Sequence, residues 1–447
     1  MSSTRRVPPR PAWSDFRRLR RLFSRDVLGG LRFVHGKYGP FVRTRLPLQI
    51  YFVADPEAID EILVKKPEAF RKDRTSRLLA RVVGNGLLVN EGDSWRRQRR
   101  LLQPAFHQRH LQTYAALMGG AVQRAAAGWR AGEVRNVHQD MMGVTMTIVA
   151  EALFGTEVSA SADQVGQAIS DLMEAFGRIL GLAARFQPPA WIPTRSNRRF
   201  KKSAREIDGL ILRIIDARKQ GDSERDDLLS LLIRARDEDG GGMSDRQVRD
   251  EAMTLFLAGH ETTALALTYA LHLLARHPER QSQVADEVAR VLGGRAATFE
   301  DLPALAFTEA VVLEAMRLYP PAWAVARQAQ QPIEIAGFQF PRGAEFVMSP
   351  FIVHRDPRWF PDPEAFDPDR WRDDLARRLP RFAYFPFGGG PRVCIGNRFA
   401  MMEAKLVLAG LLQRFRFEAV PETAVVLQPS VTLRPRDGVR LRLAAPP

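Results

Sequence analysis

Residues 385–399 read Phe-Pro-Phe-Gly-Gly-Gly-Pro-Arg-Val-Cys-Ile-Gly-Asn-Arg-Phe, and they hold the one cysteine of the chain, Cys394. The run Gly388, Gly389 and Gly390 predicts a turn before the cysteine. After it, Ala400, Met401, Ala404, Leu406, Val407 and Leu408 are among the apolar positions of a helical pattern. The sulfur is therefore expected at the mouth of a helix. Unpaired N–H groups and the positive dipole end favour a thiolate over a thiol there. Glycines let the backbone approach a flat, bulky ligand closely. Arg392 offers a fixed charge for an acidic group beside it.

A lone cysteine has several readings. Taken by itself it is most simply a buried, inert thiol. One cysteine cannot form a disulfide within its own chain, and a zinc site would need partners from His, Asp or Glu residues. A nucleophile would need a nearby base, and the sequence just downstream offers none. Thiolate ligation of haem iron fits best, because it needs one sulfur, close backbone and surrounding N–H donors. Phe387, Gly390, Arg392, Cys394 and Gly396 together resemble the haem-binding loop of the cytochrome P-450 family. The resemblance implies a mainly α fold with small β-sheets (α+β). A long central helix would lie over haem, beside a smaller β-rich region. Residues 1–34 are then an N-terminal arm and helix, and 35–447 a single haem-thiolate monooxygenase domain.

The bulk composition agrees. The chain has 447 residues, 45% of them hydrophobic, so a large core is within reach. No apolar run is long enough to span a bilayer, and the N-terminus has no signal core. A cytoplasmic protein is the expectation. The net charge of +15 admits nucleic acid, an anionic membrane or an acidic protein as a partner. The basic residues are spread along helical segments rather than gathered in a nucleic-acid module, so a solvated Arg-rich surface is the plain alternative.

Along the chain, Trp13, Phe16, Leu19, Leu22 and Phe23 recur near helical spacing. Phe41 to Leu46 and Gln49 to Ala54 read as a hairpin, and Asp55-Pro56 opens a helix through Val64. Residues 67–92 carry apolar clusters without a clean period. Trp95 and Arg99 share one helical face and Arg96 and Arg100 another. Ser244 and Gln247 form a capping box at the start of a long helix that runs to Leu274. In its middle, Ala258-Gly259-His260-Glu261-Thr262-Thr263 is a weak helical turn, whose Thr hydroxyls can bond back to preceding carbonyls. A helix over Leu302 to Leu318 stops at Pro320-Pro321 and carries Glu314 and Arg317 on one face. Ile333, Ile335, Phe338 and Phe340, a turn at 341–343, and Phe346 to Met348 read as strand, turn, strand.

The family resemblance assigns roles to these positions. Cys394 is the iron ligand of haem b. Trp95, Arg99, Arg327 and Arg392 would meet its propionates, with Phe387, Gly396 and Ala258 against the ring. Ala258 and Gly259 would leave room for oxygen. Glu261 and Thr262 would manage protons, Thr262 by hydrogen bonding at the oxygen and Glu261 by relay through water. Glu314, Arg317 and Arg370 match the family's structural triad. Asp369 and Trp371 stand where the family more often has Glu and Phe. The substrate pocket would be lined by Leu87, Phe176, Leu180, Phe256, Ala258, Trp323, Val325 and Val431, mostly apolar, for a terpenoid, polyketide or fatty acyl compound. Electrons would come from NAD(P)H through a ferredoxin or flavodoxin and its reductase. The docking face would show Arg96, Arg100, Arg398 and Lys405.

Two rival readings differ in class. A haem-thiolate peroxygenase or isomerase would need no reductase, and would have no use for Glu261 and Thr262. A basic nucleic-acid or membrane binder would keep the fold without its chemistry. Intact ligand, acid and alcohol argue against it.

Overall fold

Ser244 starts the longest helix among the described residues. Its hydroxyl caps the Gln247 N–H, and the Gln247 side chain returns to the Ser244 N–H at 2.9 Å. These reciprocal bonds satisfy two of the orphan donors that a helix start leaves open. The helix then runs without a break from Asp245–Arg276, 32 residues. At 1.5 Å per residue that is roughly 48 Å.

The computed structural model describes residues 7–44, 49–155, 194–220, 227–421 and 424–446. The helices used below are α1 (Trp13–Arg25), α2 (Val27–Tyr38), α3 (Gly92–Leu102), α4 (Gln108–Ala127), α5 (Val137–Phe154), α6 (Asp245–Arg276), α7 (Pro278–Leu292), α8 (Ala306–Leu318) and α9 (Asn397–Leu412). The mainly helical class with small sheets is what the sequence predicts. The chain divides into two compact units, Met1–Leu78 with Leu313–Cys394, and Leu79–Val312 with Ile395–Pro447.

The first unit holds most of the strand structure. Its sheet contains β1 (Phe41–Arg43), β2 (Ile50–Val53), β3 (Phe70–Lys72), β5 (Val325–Ala329) and β8 (Glu345–Met348), in the order β1-β2-β8-β5-β3. The expected hairpin is present, with Phe41 opposite Val53. Phe41, Tyr51, Phe340 and Phe346 pack their rings together over this sheet and are all buried. After the Asp55 cap the helix at Pro56–Asp60 widens into a π turn, Glu61–Lys65. The stretch 333–340 is two strands rather than one, β6 (Ile333–Ile335) and β7 (Phe338–Phe340), joined at Ala336 and Gly337 with positive φ. The apolar positions change parity there, from odd to even numbers, which a continuous strand cannot accommodate.

In the second unit, α6 packs against α5, and α9 against α4. Two small antiparallel sheets accompany them. One is β4 (Val134–Asn136), β12 (Arg440–Ala444) and β9 (Arg416–Ala419); the other is the hairpin of β10 (Leu427–Pro429) and β11 (Leu433–Pro435). The hairpin is tied to α6 by the Tyr269 hydroxyl, which donates to the Leu433 carbonyl at 2.9 Å. The helix expected over Leu302 to Leu318 begins later than predicted. Phe299–Ala304 is a 3₁₀ turn containing Pro303, and α8 starts at Ala306.

Candidate active site

The cysteine loop folds back on itself in the first unit. The Cys394 N–H donates to the Phe387 carbonyl at 3.0 Å, the Gly388 N–H to Phe385 at 3.0 Å, and the Val393 N–H to Gly390 at 3.1 Å. Gly390 has φ +65°, and a Cβ there would collide with the Leu63 carbonyl in the π turn. A Cβ on Gly389 would collide with the Phe382 ring. These two glycines therefore let the loop seat against its own unit, a use that the sequence reading gave to ligand approach. The Phe385 N–H donates to Nε2 of the buried His354 at 2.9 Å, which pins the start of the loop.

Cys394 itself is exposed, so the inert buried thiol is not what this chain has. Among the described residues no group of His, Cys, Asp and Glu could hold a metal ion. An accessible thiol on a glycine-rich loop suits a prosthetic group that brings its own donors, and haem is such a group. Gly396 is the N-cap of α9, which starts three residues after the sulfur. In the same first unit Arg327 is buried on β5 and donates to the Ala326 carbonyl at 2.9 Å. Arg392 ends the short turn Gly390–Arg392. Trp323 is half-buried, its carbonyl accepting from Ser349 at 2.7 Å, and Val325 packs on the sheet core.

Behind the loop lies a buried charge cluster. Glu314 and Arg317 have fully buried side chains and face each other through two bonds of 2.8 Å. Arg317 also donates to the carbonyls of His354, Pro363 and Ala365. Arg370 Nε lies 3.4 Å from Glu314 Oε1. Trp371 Nε1 donates to Glu314 Oε2 at 3.0 Å, a bond that phenylalanine could not make. Glu314 answers to both guanidiniums, and carbonyls take the remaining donors of Arg317, which is the compensation a buried charge needs.

In the second unit the weak turn of α6 behaves as its composition suggests. Thr262 Oγ1 donates to the Ala258 carbonyl at 2.7 Å and Thr263 Oγ1 to Gly259 at 3.2 Å. Ala258 is exposed and Thr262 partly so. Glu261 is buried and held from the C-terminal hairpin: Arg434 Nε donates to Oε1 at 2.6 Å, and the Thr432 hydroxyl to the same oxygen. Burial alone would raise this carboxyl, but Arg434 and Thr432 outweigh it and hold it below the usual range. Glu261 is thus a fixed carboxylate, and relay through it requires release from Arg434. His138 stands nearby, lowered to about 4 by burial and by the Arg434 charge, so it is neutral. His260 is lowered mainly by burial, and its Nδ1 lies 3.0 Å from the Phe256 carbonyl.

Several expected assignments change. Phe256 is 1% exposed and packs on Phe154 and His260. It stands two residues from Ala258, hence on the other side of the helix, and it is a core residue. Leu255, one turn before Gly259, takes the accessible stripe with Ala258 and Thr262. Gly259 serves helix packing, since a Cβ would meet Val149 of α5 at 3.0 Å. Lys405 is buried and bonds to the Leu302 carbonyl and to Glu309, each at 2.6 Å, so it cannot belong to a docking face. Arg96 and Arg100 are exposed, but ion-paired with Asp93 and Glu238. Arg398 is exposed.

The remaining positions fall as follows. Trp95 is buried on α3, four residues before Arg99. Leu87 is buried, and Val431 sits half-buried between β10 and β11. Phe176 and Leu180 lie outside the described residues. Sequence reasoning missed Arg434 and Thr432, which are distant in the chain from Glu261. It also missed Glu403, an acid within the apolar run of α9. Burial pushes Glu403 well above the usual carboxyl range, against the pull of the Thr263 hydroxyl.

Residues 18–441 match the family described as Cytochrome P-450. Cyclooctatin synthase of Streptomyces melanosporofaciens is 38% identical over 404 residues, which cover 89% of this chain and 87% of that protein. Pentalenene oxygenase of Streptomyces avermitilis is 35% identical over 411 residues, 91% of each chain. Among solved structures, a retinoic acid bound cyanobacterial CYP120A1 is 28% identical and superposes with a TM-score of 0.87, covering 99% of this chain and 100% of that one.

Proposed function

We propose that this chain, which belongs to the cytochrome P-450 family and is therefore an oxygen-incorporating oxidoreductase, hydroxylates a terpenoid. Family membership brings haem iron, dioxygen and electrons from a partner protein. Haem, when bound, activates oxygen, and a thiolate ligand favours O–O cleavage. The other roles fall to the chain's own residues.

Cys394 supplies the thiolate. Arg327, Arg392, Trp95 and Arg99 hold the acidic groups of a haem b. The Thr262 hydroxyl, accessible on α6, passes a proton while its own hydrogen bond to the Ala258 carbonyl keeps it oriented. Glu261 gives that proton chain its carboxylate, and Arg434 sets when it is available. Leu87, Leu255, Ala258, Trp323, Val325 and Val431 supply apolar contacts for the substrate. NAD(P)H is the electron source, through an acidic ferredoxin or flavodoxin. Exposed Arg398, Arg96 and Arg100 attract such a partner, Asp93 and Glu238 tempering the pull of the last two.

What supports the terpenoid reading is the pair of relatives aligned over about nine-tenths of the chain, both named for terpenoid products or substrates. Purified ferric protein titrated with terpenoid hydrocarbons and alcohols, fatty acids and polyketide lactones tests it. A shift of the haem absorption band by terpenoids first, followed by oxygenated product only with reductase present, is the expected result. Preference for another class would overturn the substrate. Turnover on peroxide with none on reductase would overturn the electron route.

A further inference from the structure

Glu251 lies on α6, 0% exposed, two turns before Ala258 and on nearly the same side of the helix. Its Oε2 accepts the Leu87 N–H at 2.9 Å, while its Oε1 is buried without a hydrogen-bond partner. Next to it, Asp250 Oδ2 accepts the Asn85 N–H at 2.8 Å. Between these two bonds the loop touches the helix directly. A Cβ on Gly86 would collide with the Thr254 hydroxyl and the Asp250 carbonyl. Gly84, with φ +62°, lies as close to the Asp250 carboxylate. The other side of the loop is tied to α3: Gln98 Nε2 donates to the Asn85 carbonyl at 3.2 Å, and Asn90 Nδ2 bonds Ser94 and Gln98. Residues 84–90 are thus a strip clamped between the helix that carries Thr262 and the helix that carries Trp95.

We propose that Glu251 is a positioning residue for substrate selection: protonated, it latches the loop bearing Leu87 onto α6, and ionised, it releases it. The inference rests on the reading of Leu87 as a substrate contact. Burial pushes the Glu251 carboxyl up to about 8, the Leu87 N–H opposes this, and the Asp250 carboxylate adds to the rise. The charged groups at this end of α6 include Asp245, Arg246, Arg249 and Asp250 on the helix itself, and Asp208 and Lys219 from the helix Arg195–Gln220. Arg249 is spent on Asp250 and on Asp208 of the helix Arg195–Gln220. What acts on Glu251 is burial, the Leu87 N–H and the Asp250 carboxylate, with no cation among them, and Oε1 is buried without a hydrogen-bond partner. Such a carboxylate is relieved only by moving to water, and the Leu87 contact goes with it. The sign follows. The latch is at full strength below the ordinary carboxyl value of 4.5 and is lost as pH rises to about 8.

The test compares the wild-type holoenzyme with Glu251→Gln, which keeps an oxygen for the Leu87 N–H and cannot ionise. Hydrogen exchange at the Leu87 amide is read as a protection factor from pH 6 to 8.5, with no substrate needed. Protection should fall at least roughly tenfold in wild type and stay flat in Glu251→Gln. The dissociation constant for the best terpenoid should rise in parallel, roughly threefold or more, in wild type only. Gly86→Ala, which forces the loop off α6, should give weak binding at every pH. Equal exchange profiles in wild type and Glu251→Gln would overturn the latch. A titrating latch with identical substrate affinities in the two would overturn its role in selection. A titrating latch in a protein that binds no terpenoid at all would leave the latch standing and sink the substrate reading.

Discussion

Arg434, near the end of the chain, places its Nε 2.6 Å from Oε1 of Glu261, in the middle of α6. The pair joins the hairpin of β10 and β11 to the turn of α6 that holds Gly259 and the two threonines. Glu261 is 3% exposed, so the guanidinium, helped by the Thr432 hydroxyl, is what keeps it ionised. On the proposed role of Glu261, proton supply and the packing of the C-terminal hairpin share one bond.

Arg434→Ala should leave a buried carboxylate with only the Thr432 hydroxyl to hold it. The expected cost is about 3 kcal/mol, the low end for a broken buried pair, because the Arg434 side chain is 30% exposed. Glu261 is held below its ordinary value, so its contribution is present above that value and lost as pH falls through the lower one. Urea unfolding of the two proteins should differ most at pH 7 and converge in acid. A gap that widened in acid would contradict the assignment.

Thr262→Ala should lower product formed per electron pair by roughly tenfold or more, with Thr262→Ser restoring most of it. Thr263→Ala, which removes a hydroxyl on the buried side next to Glu403, should leave that ratio near wild type. Product and reductant consumption measured together decide between them.

Glu314→Ala strips the partner from a fully buried Arg317 and should cost about 3–5 kcal/mol. Trp371→Phe removes one bond to a charged acceptor and should cost about 1.5–3 kcal/mol. Thermal or urea unfolding gives both values, and a larger loss in the second than in the first would refute the ranking.

Gly388 and Gly390 both have positive φ, but their surroundings differ. Nothing lies near a Cβ on Gly388, so Gly388→Ala should cost only the left-handed strain, about 1–2 kcal/mol. Gly390→Ala must also push the loop off Leu63, and should lose the haem-thiolate spectrum with carbon monoxide. Equal behaviour of the two variants would show that the seat on the π turn is unimportant.

Arg398→Glu should slow reduction by an acidic electron donor and flatten its dependence on ionic strength. Lys405→Met should leave that salt dependence unchanged and lower stability instead, since its ammonium is buried against Leu302 and Glu309. Stopped-flow reduction across a salt series separates the two.

Much of this architecture was legible in local patterns. The cap at Ser244, the weak turn at 258–263, the cysteine loop and the pairing of Glu314 with Arg317 are all short-range signals, and the structure contains each of these features. What escaped notice depends on contacts far apart in sequence. Arg434 reaches Glu261 across 173 positions, and no local period announces it. Lys405 looks like any helical lysine until Glu309 and Leu302 close over it. Phe256 is a different case: helical phase puts it opposite Ala258, and apolar character alone does not carry that phase. The break at Ala336-Gly337 was visible as a parity change and was read through.

The hairpin that carries Val431 also carries Thr432 and Arg434. If Val431 contacts substrate as proposed, anyone reshaping selectivity by randomising this tip would be editing two traits at once. Libraries confined to Val431, with its two neighbours frozen, should yield variants that accept new molecules while wasting little reductant. Libraries that sweep the whole tip should enrich for leaky catalysts, and the leak would be mistaken for poor fit.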